Sequence, residues 1–156
     1  MCPVIGMKQM QLYLSNNVPK YLEEFAYFAC HYLGIDKLRG NLQITLARKN
    51  LDEEAYGLCW GDRSECEVHI ASYQWGEPVD RESKLKTLAH ELTHAYQYLT
   101  GHLVAYDVGD YVSRWHGADI KYKPETENEM PWEVEATHFE EVIYDAWMEY
   151  KQSTDI

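Results

Sequence analysis

Residues 81–100 read RESKLKTLAHELTHAYQYLT, a stretch that combines helical periodicity with a histidine motif. Its apolar positions recur at helical spacing and form one stripe, namely Leu85, Leu88, Ala89, Leu92, Tyr96 and Leu99. Asp80 is a suitable N-cap and Gly101 a suitable C-terminal stop, so the pattern predicts one helix over these residues. At about 100 degrees per residue, His90 and His94 fall away from the apolar stripe. We therefore expect the helix to bury one face and to present both histidines to a cleft.

The motif His90-Glu91-Leu92-Thr93-His94 has the spacing of a metal-binding helix. Two histidines four residues apart lie one above the other, so both imidazoles can reach a single metal ion. The intervening glutamate can act as general base toward a water molecule that the metal activates. The competing interpretation is a pair of surface histidines on an amphipathic helix. A catalytic zinc site needs a third protein ligand, and the later candidates are His102, His116, Glu133 and Glu135.

The first 80 residues predict one helix and four strands. Alternating apolar residues indicate short strands near 10–14, 42–46, 56–60 and 66–71. Between the first two, apolar residues from Val18 to Leu33 recur at helical spacing, and Gly34 is placed to cap that helix. We expect the last three strands to pair as an antiparallel sheet.

After the motif helix, the sequence predicts a long polar connection and one more helix. Residues 102–130 are mostly polar and contain two glycines and a proline, which predicts an irregular segment. Pro131 can start a helix, and residues 151–156 form a polar tail. The apolar face of that helix consists of Trp132, Ala136, Phe139, Ile143, Trp147 and Tyr150. The whole order of elements predicts an α+β fold and a single domain spanning 1–156.

The net charge and the composition of the chain indicate which classes of partner to expect. The chain has 14 Lys and Arg against 26 Asp and Glu, for a formal net charge of -12. Autonomous binding to nucleic acid or to an anionic membrane needs a basic surface, so neither is expected. The N-terminus lacks the basic start and apolar stretch of a signal peptide, and no segment has the apolar length of a membrane span. These features predict a soluble, cytoplasmic protein.

The four cysteines are Cys2, Cys30, Cys59 and Cys66, and none forms a C-x-x-C pair. Scattered cysteines of this kind indicate free thiols in a reducing compartment rather than a disulfide framework or a zinc ribbon. A Cys59–Cys66 pairing across the expected hairpin is the alternative.

A second segment carries a family resemblance when it is combined with the motif helix. Residues 131–136 read PWEVEA, in which Glu133 and Ala136 match an E-x-x-A pattern. An H-E-x-x-H helix followed by a helix with a ligand glutamate in E-x-x-A resembles the gluzincin class of zinc metallopeptidases, especially its compact single-domain members.

That resemblance implies a zincin-like fold, in which a small antiparallel or mixed sheet packs on the motif helix. It implies one catalytic Zn²⁺ held by His90, His94 and Glu133, with Glu91 as general base in the hydrolysis of a peptide or protein substrate. The family often has an acidic residue one turn after the ligand glutamate, hydrogen-bonded to a ligand histidine. Thr137 stands at that position here, so the chain departs from the family pattern at this supporting contact.

A rival resemblance concerns residues 115–120, which read WHGADI. SprT-like metalloproteases share H-E-x-x-H but take their third ligand from a histidine in H-G-x-x-aromatic, which would make His116 the ligand. Ile120 stands in the aromatic position, and the chain lacks a cysteine-rich zinc module. A third interpretation is a zinc-stabilised binding module without turnover, although such a module has no need for Glu91.

The gluzincin resemblance also implies a substrate that lies extended along a sheet edge. Residues 66–71 are the expected edge strand because they precede the motif helix, and His69 is expected to point from that strand into the cleft or to lie half exposed. The oxyanion of the reaction needs a hydrogen-bond donor. Candidates in the polar segment are Tyr106, Tyr111 and His116.

Overall fold

The computed structural model describes residues 9–48, 55–105 and 111–154. The helices are α1 (Lys20–Leu33), α2 (Arg81–Thr100) and α3 (Pro131–Thr154), with short 3₁₀ helices at Ile35–Lys37 and Pro124–Glu129. The strands are β1 (Met10–Leu14), β2 (Gly40–Ala47), β3 (Gly57–Gly61), β4 (Glu65–Ala71), β5 (Tyr73–Gln74), β6 (Glu77–Pro78), β7 (Leu103–Ala105), β8 (Val112–Trp115) and β9 (Ala118–Lys121). Helices and small mixed sheets in this order are compatible with the expected α+β class.

The local signals for α2 are confirmed. The Asp80 side chain accepts a hydrogen bond from the backbone N–H of Ser83 at 2.7 Å, which satisfies one free donor of the first turn. At the other end, Gly101 adopts the left-handed conformation with φ 78°, which a glycine reaches at low cost. The helix therefore spans the predicted residues, and its position fixes the motif.

The main sheet has the strand order β1-β2-β4-β3 within the described residues. β1 and β2 pair in parallel. The antiparallel pairing expected among the three later strands was wrong in part, because β3 and β4 are antiparallel but β2 and β4 pair in parallel. The first parallel pair follows from α1, because a helical crossover returns the next strand in the same direction. The expected edge strand, β4, is internal, and β3 forms the edge instead.

The core lies between one face of this sheet and the helices. Alternate residues of β2 and β4 point inward and are buried, as are the apolar stripe of α2 and the inner faces of α1 and α3. Burial of each such side chain stabilises the fold by about 1.5–3 kcal/mol relative to leaving it exposed. The chain thus anchors α2 firmly on its apolar side and leaves its histidine side free for the site.

The segment expected to be irregular instead contains a three-stranded sheet. Strands β7, β8 and β9 pair in antiparallel fashion, and a 3₁₀ helix leads from them to α3. The hairpin between β8 and β9 turns at His116 and Gly117, whose φ angles are 48° and 83°. Two left-handed residues in succession characterise the tight turn that suits a twisted hairpin. Strands of three or four residues are too short to produce a readable alternation, which explains the error.

Two further outcomes concern the ends of the fold and the thiols. Helix α3 begins at Pro131 as expected but continues to Thr154, so much of the expected polar tail is helical. Cys30, Cys59 and Cys66 are free thiols, as expected, while Cys2 lies outside the described residues.

Among the described residues, no helix combines the length and the apolar character needed to cross a membrane.

Candidate metal centre

His90, His94 and Glu133 meet between α2 and the first turn of α3. His90 Nε2 lies 3.2 Å from Glu133 Oε2, and His94 Nε2 lies 2.9 Å from Glu133 Oε1. One ligand atom from each residue can be chosen so that all lie within 4.8 Å of one another. In the part of the chain that the structure describes, no other group of three or more His, Cys, Asp or Glu meets this criterion. The three residues are therefore positioned to bind a metal ion.

The outer nitrogen of His90 is held by Glu140. The Nδ1 of His90 lies 2.9 Å from Glu140 Oε1. Because an ionised carboxylate only accepts hydrogen bonds, Nδ1 carries the proton and donates it. When the ring gives up its second proton, the lone pair stands on Nε2, the nitrogen that faces Glu133. This contact fixes the tautomer that a metal requires.

Gln97 contacts the Nδ1 of His94 and orients that ring, as Glu140 does for His90. Its Oε1 lies 2.8 Å from His94 Nδ1, while its Nε2 donates to the carbonyl oxygen of Trp132 at 3.0 Å and to Glu135 Oε1 at 3.1 Å. Two acceptors at the amide nitrogen determine which way the amide points, so its oxygen must face His94. The Nδ1 of His94 is therefore the donor, and loss of the second proton of the ring likewise leaves the lone pair on Nε2.

The pKa values of His90, His94 and Glu133 reflect the close contacts among these side chains. Burial disfavours the charged form of Glu133, but hydrogen bonds from His90 and His94 outweigh it and hold its pKa at about 2. Burial also works against protonation of His90, yet Glu133 and Glu140 raise its pKa to about 10. The His94 pKa is raised in the same way, against burial, mainly by Glu133. A carboxylate that attracts protons to two imidazole nitrogens equally attracts a cation that those nitrogens can ligate.

Glu91 is buried at the floor of the cleft, with 7 % of its surface exposed. Burial raises the pKa of its carboxyl group, while His94 and His90 act in the opposite direction. Gly57 of β3 lies directly against it: a Cβ at this position would stand 2.8 Å from the Glu91 Cγ and 2.7 Å from the Thr87 Cγ2. Only a glycine lets β3 approach α2 this closely, so β3 forms one wall beside Glu91.

An open cleft of about 540 Å³ lies over the metal group. One wall is β3, and the opposite wall comes from the three-stranded sheet and the 3₁₀ helix before α3. Residues of these walls and of the helices beneath include Gly57, Cys59, Tyr98, Leu103, Tyr122, Asn128 and Trp132. A more polar recess of about 430 Å³ shares His90, Glu91 and Glu133 and extends toward Glu140. The two spaces together make a groove that passes over the metal group.

Other expected candidates lie elsewhere. His116 is in the β8–β9 turn, with its ring 4.2 Å from that of His102 and 4.6 Å from that of Trp115. Glu135 contacts Gln97 rather than the two histidines of the motif. None of His102, His116 and Glu135 belongs to the metal-binding group. The H-G pair that resembles the SprT pattern is thus a hairpin turn in this chain.

Of the expectations about the substrate strand, the edge position of β4 was wrong, whereas the partial burial of His69 agrees with the half-exposed alternative. Because β4 is internal, it cannot be the edge, and its His69 faces away from α2, where its ring stacks on Trp60 at 4.8 Å.

The carboxylate contact to a motif histidine that was expected at Thr137 comes from Glu140 instead, which contacts His90. Glu140 stands two helical turns after Glu133 rather than one. Seven residues on a helix return to the same face, so spacing alone contained this signal.

The expected oxyanion donors also change. Tyr106 lies outside the described residues, and Tyr111 is exposed and is not among the residues that line the cleft, with its ring 5.8 Å from that of Tyr122. Two tyrosines line the cleft itself, Tyr98 on α2 and Tyr122 after β9. Sequence reasoning missed both, although Tyr98 follows His94 by four residues and so shares its side of the helix.

Glu140→Leu should lower the affinity for a divalent transition-metal ion by about 10- to 100-fold, because the His90 ring loses the contact that sets its tautomer and orientation. The measurement is a competition titration against a chromophoric chelator. Glu141→Leu is the matched control, since Glu141 is exposed and pairs with Lys86 at 3.1 Å. Equal affinities in the two variants would contradict the role of Glu140.

The chain matches no protein-family model, and it matches none of the curated proteins with which it was compared. The resemblance to gluzincins therefore depends on the motif residues alone. The geometry supports one firm statement: His90, His94 and Glu133 form a group that is positioned to bind a metal ion.

Proposed function

We propose that this protein is a zinc-dependent metallopeptidase that hydrolyses peptide bonds in the groove beside β3. One observation carries the proposal: three residues positioned to bind a metal ion line an open cleft, with the buried Glu91 carboxyl group beside them. Two imidazole nitrogens and one carboxylate oxygen suit Zn²⁺. Three protein ligands are also typical of catalytic zinc sites, whereas structural sites usually have four.

Zn²⁺ held by His90, His94 and Glu133 supplies Lewis-acid catalysis and makes a water molecule more acidic. Glu91 accepts the proton of the attacking water and returns it to the leaving amine nitrogen. A buried carboxyl group with a raised pKa suits both halves of this task, because it binds the proton more readily than an exposed one. Tyr98 or Tyr122 donates a hydrogen bond to the developing oxyanion.

The substrate lies extended along β3. None of the described strands pairs with the outer edge of β3, so its backbone N–H and C=O groups on that side can bind a peptide main chain. Gly57 brings this edge next to Glu91. Main-chain pairing supplies affinity with little dependence on sequence and holds the scissile bond beside the metal ligands.

The SprT-like alternative has less support, because it needs His116 as the third ligand. His116 is the first residue of a tight turn and packs on His102, while Glu133 already lies within 3.2 Å of both motif histidines. A module that uses zinc only for stability would not require a buried carboxyl group at Glu91 or an open cleft above it.

Metal analysis combined with a proteolysis assay tests the proposal. We expect the purified full-length protein to contain one zinc ion per chain and to cleave an unfolded protein such as casein. A strong zinc chelator should abolish cleavage, and added Zn²⁺ should restore it. Absence of zinc after gentle purification, with no uptake at micromolar Zn²⁺, would overturn the proposed function.

A further inference from the structure

We infer that the outer face of β3 selects substrates with apolar side chains at two alternate positions, opposite Leu58 and Trp60. The inference rests on the proposed function, since it takes the peptide to be a strand added to the β3 edge. The proposed determinants of specificity are Leu58, which also borders the cleft over the metal group, and Trp60, which is not among the residues that line it.

The alternation along β3 separates two sets of side chains. Gly57 lies against α2, and the Cys59 thiol lies on the same inner side, near Cys66 and Glu91. Since successive residues of a strand point to opposite faces, Leu58 and Trp60 point outward. The register agrees, because Leu58 pairs with His69, whose ring stacks on Trp60.

The outward pair is exposed and apolar. Leu58 has 39 % of its surface exposed and Trp60 has 44 %. Large apolar side chains in a sheet are usually covered by the side chains of neighbouring strands. Their neighbours on the β4 side are already in place, so the open side is the one that an added strand would occupy. Trp60 also borders a hollow of about 630 Å³, but that hollow lies over β1, β2 and β4, with Tyr13, Gln43 and Glu67, and not at the open edge of β3.

Strand pairing converts this arrangement into a sequence preference. A peptide on the β3 edge places one residue opposite Gly57, next to Glu91, and the following residues opposite Leu58, Cys59 and Trp60 in turn. The residues opposite Leu58 and Trp60 share the outer face, and the residue between them points into the cleft. Apolar residues separated by one position, on one side of the scissile bond, should therefore favour cleavage.

A peptide library digested by the zinc-loaded full-length protein tests this preference. We expect cleaved peptides to be enriched in apolar residues at two positions separated by one residue, on the same side of the cut. For two peptides that differ only at these positions, leucine should give a kcat/KM about tenfold higher than serine, as expected for two cross-strand contacts.

Variants connect the preference to the named residues. In Leu58→Ser combined with Trp60→Ser, the ratio of kcat/KM between the leucine and serine peptides should fall to near one. Trp75→Ser is the matched control, because Trp75 is the most exposed of the large apolar side chains that the structure describes, at 63 %, and lies in the β5–β6 hairpin. This control should keep the tenfold ratio. Circular dichroism spectra verify that each variant is folded.

The two proposals fail in different ways. Failure to cleave any peptide would overturn the peptidase function. Affinities of the same two peptides for the zinc-loaded Glu91→Gln variant, measured by calorimetry, test the edge independently of turnover. Equal affinities there would overturn the role of Leu58 and Trp60. Cleavage without a preference at the two positions would do the same while leaving the peptidase function standing.

Discussion

Glu91→Gln should lower kcat for peptide hydrolysis by roughly 10²- to 10⁴-fold while zinc remains bound, because the amide keeps the shape of the side chain but cannot accept the proton of water. Glu91 does not belong to the group that is positioned to bind a metal ion, so its replacement leaves that group intact. The measurement pairs steady-state kinetics with the zinc content of the same protein preparation.

The fold of this variant should be at least as stable as that of the parent. Burial raises the pKa of Glu91, and a carboxyl group whose pKa rises on folding destabilises the folded state at pH values above that pKa. A neutral amide removes that cost, so the free energy of unfolding at neutral pH should not decrease. Glu149→Gln, at an exposed position of α3, is the control for a change of charge alone. Full activity in Glu91→Gln would contradict the proposed role of the general base.

Local signals made the motif helix predictable. Asp80 and Gly101 end α2 through side-chain capping and a left-handed turn, both of which depend only on residues near in sequence. The same holds for the separation of the apolar stripe from His90 and His94, because helical periodicity alone determines which residues share a face. A metal-binding helix could therefore be described in detail before its surroundings were known.

Strand order could not be predicted in the same way. The alternation in β4 indicated a strand but not its neighbours, and pairing with β2 on one side and β3 on the other involves residues far apart in sequence. Edge and internal strands can have similar alternation when only one face is buried. The error about β4 also misplaced His69, since the edge that borders the cleft belongs to β3.

The contacts that orient the candidate metal-binding residues could be predicted from sequence only in part. Gln97 and Glu140 occupy positions that helical spacing links to His94 and Glu133, at three and seven residues, and so could be proposed from sequence. What sequence could not supply is the packing of α2 against α3, which brings Glu140 to His90. The carbonyl oxygen of Trp132, which orients Gln97, is a backbone atom and has no sequence signature at all.

Glu133→Ala should reduce the affinity for Zn²⁺ by about 10²- to 10³-fold. Zinc sites bind with roughly 10–16 kcal/mol, so a share of about 3–4 kcal/mol is lost with one ligand. Glu133 contacts both motif histidines, and no other described carboxylate joins them in the ligand group. Chelator competition measures the affinity, and residual peptidase activity should fall in parallel at limiting zinc.

Glu135→Ala is the closest control, because Glu135 lies on the same helical turn and has the same side chain. It contacts Gln97, which is also held by Trp132, so its loss should weaken zinc binding by less than about tenfold. His116→Ala should leave zinc affinity unchanged, since that histidine packs on His102 in the hairpin turn. An unchanged affinity in Glu133→Ala together with a large loss in His116→Ala would instead assign the third ligand to His116 and favour the SprT-like mechanism.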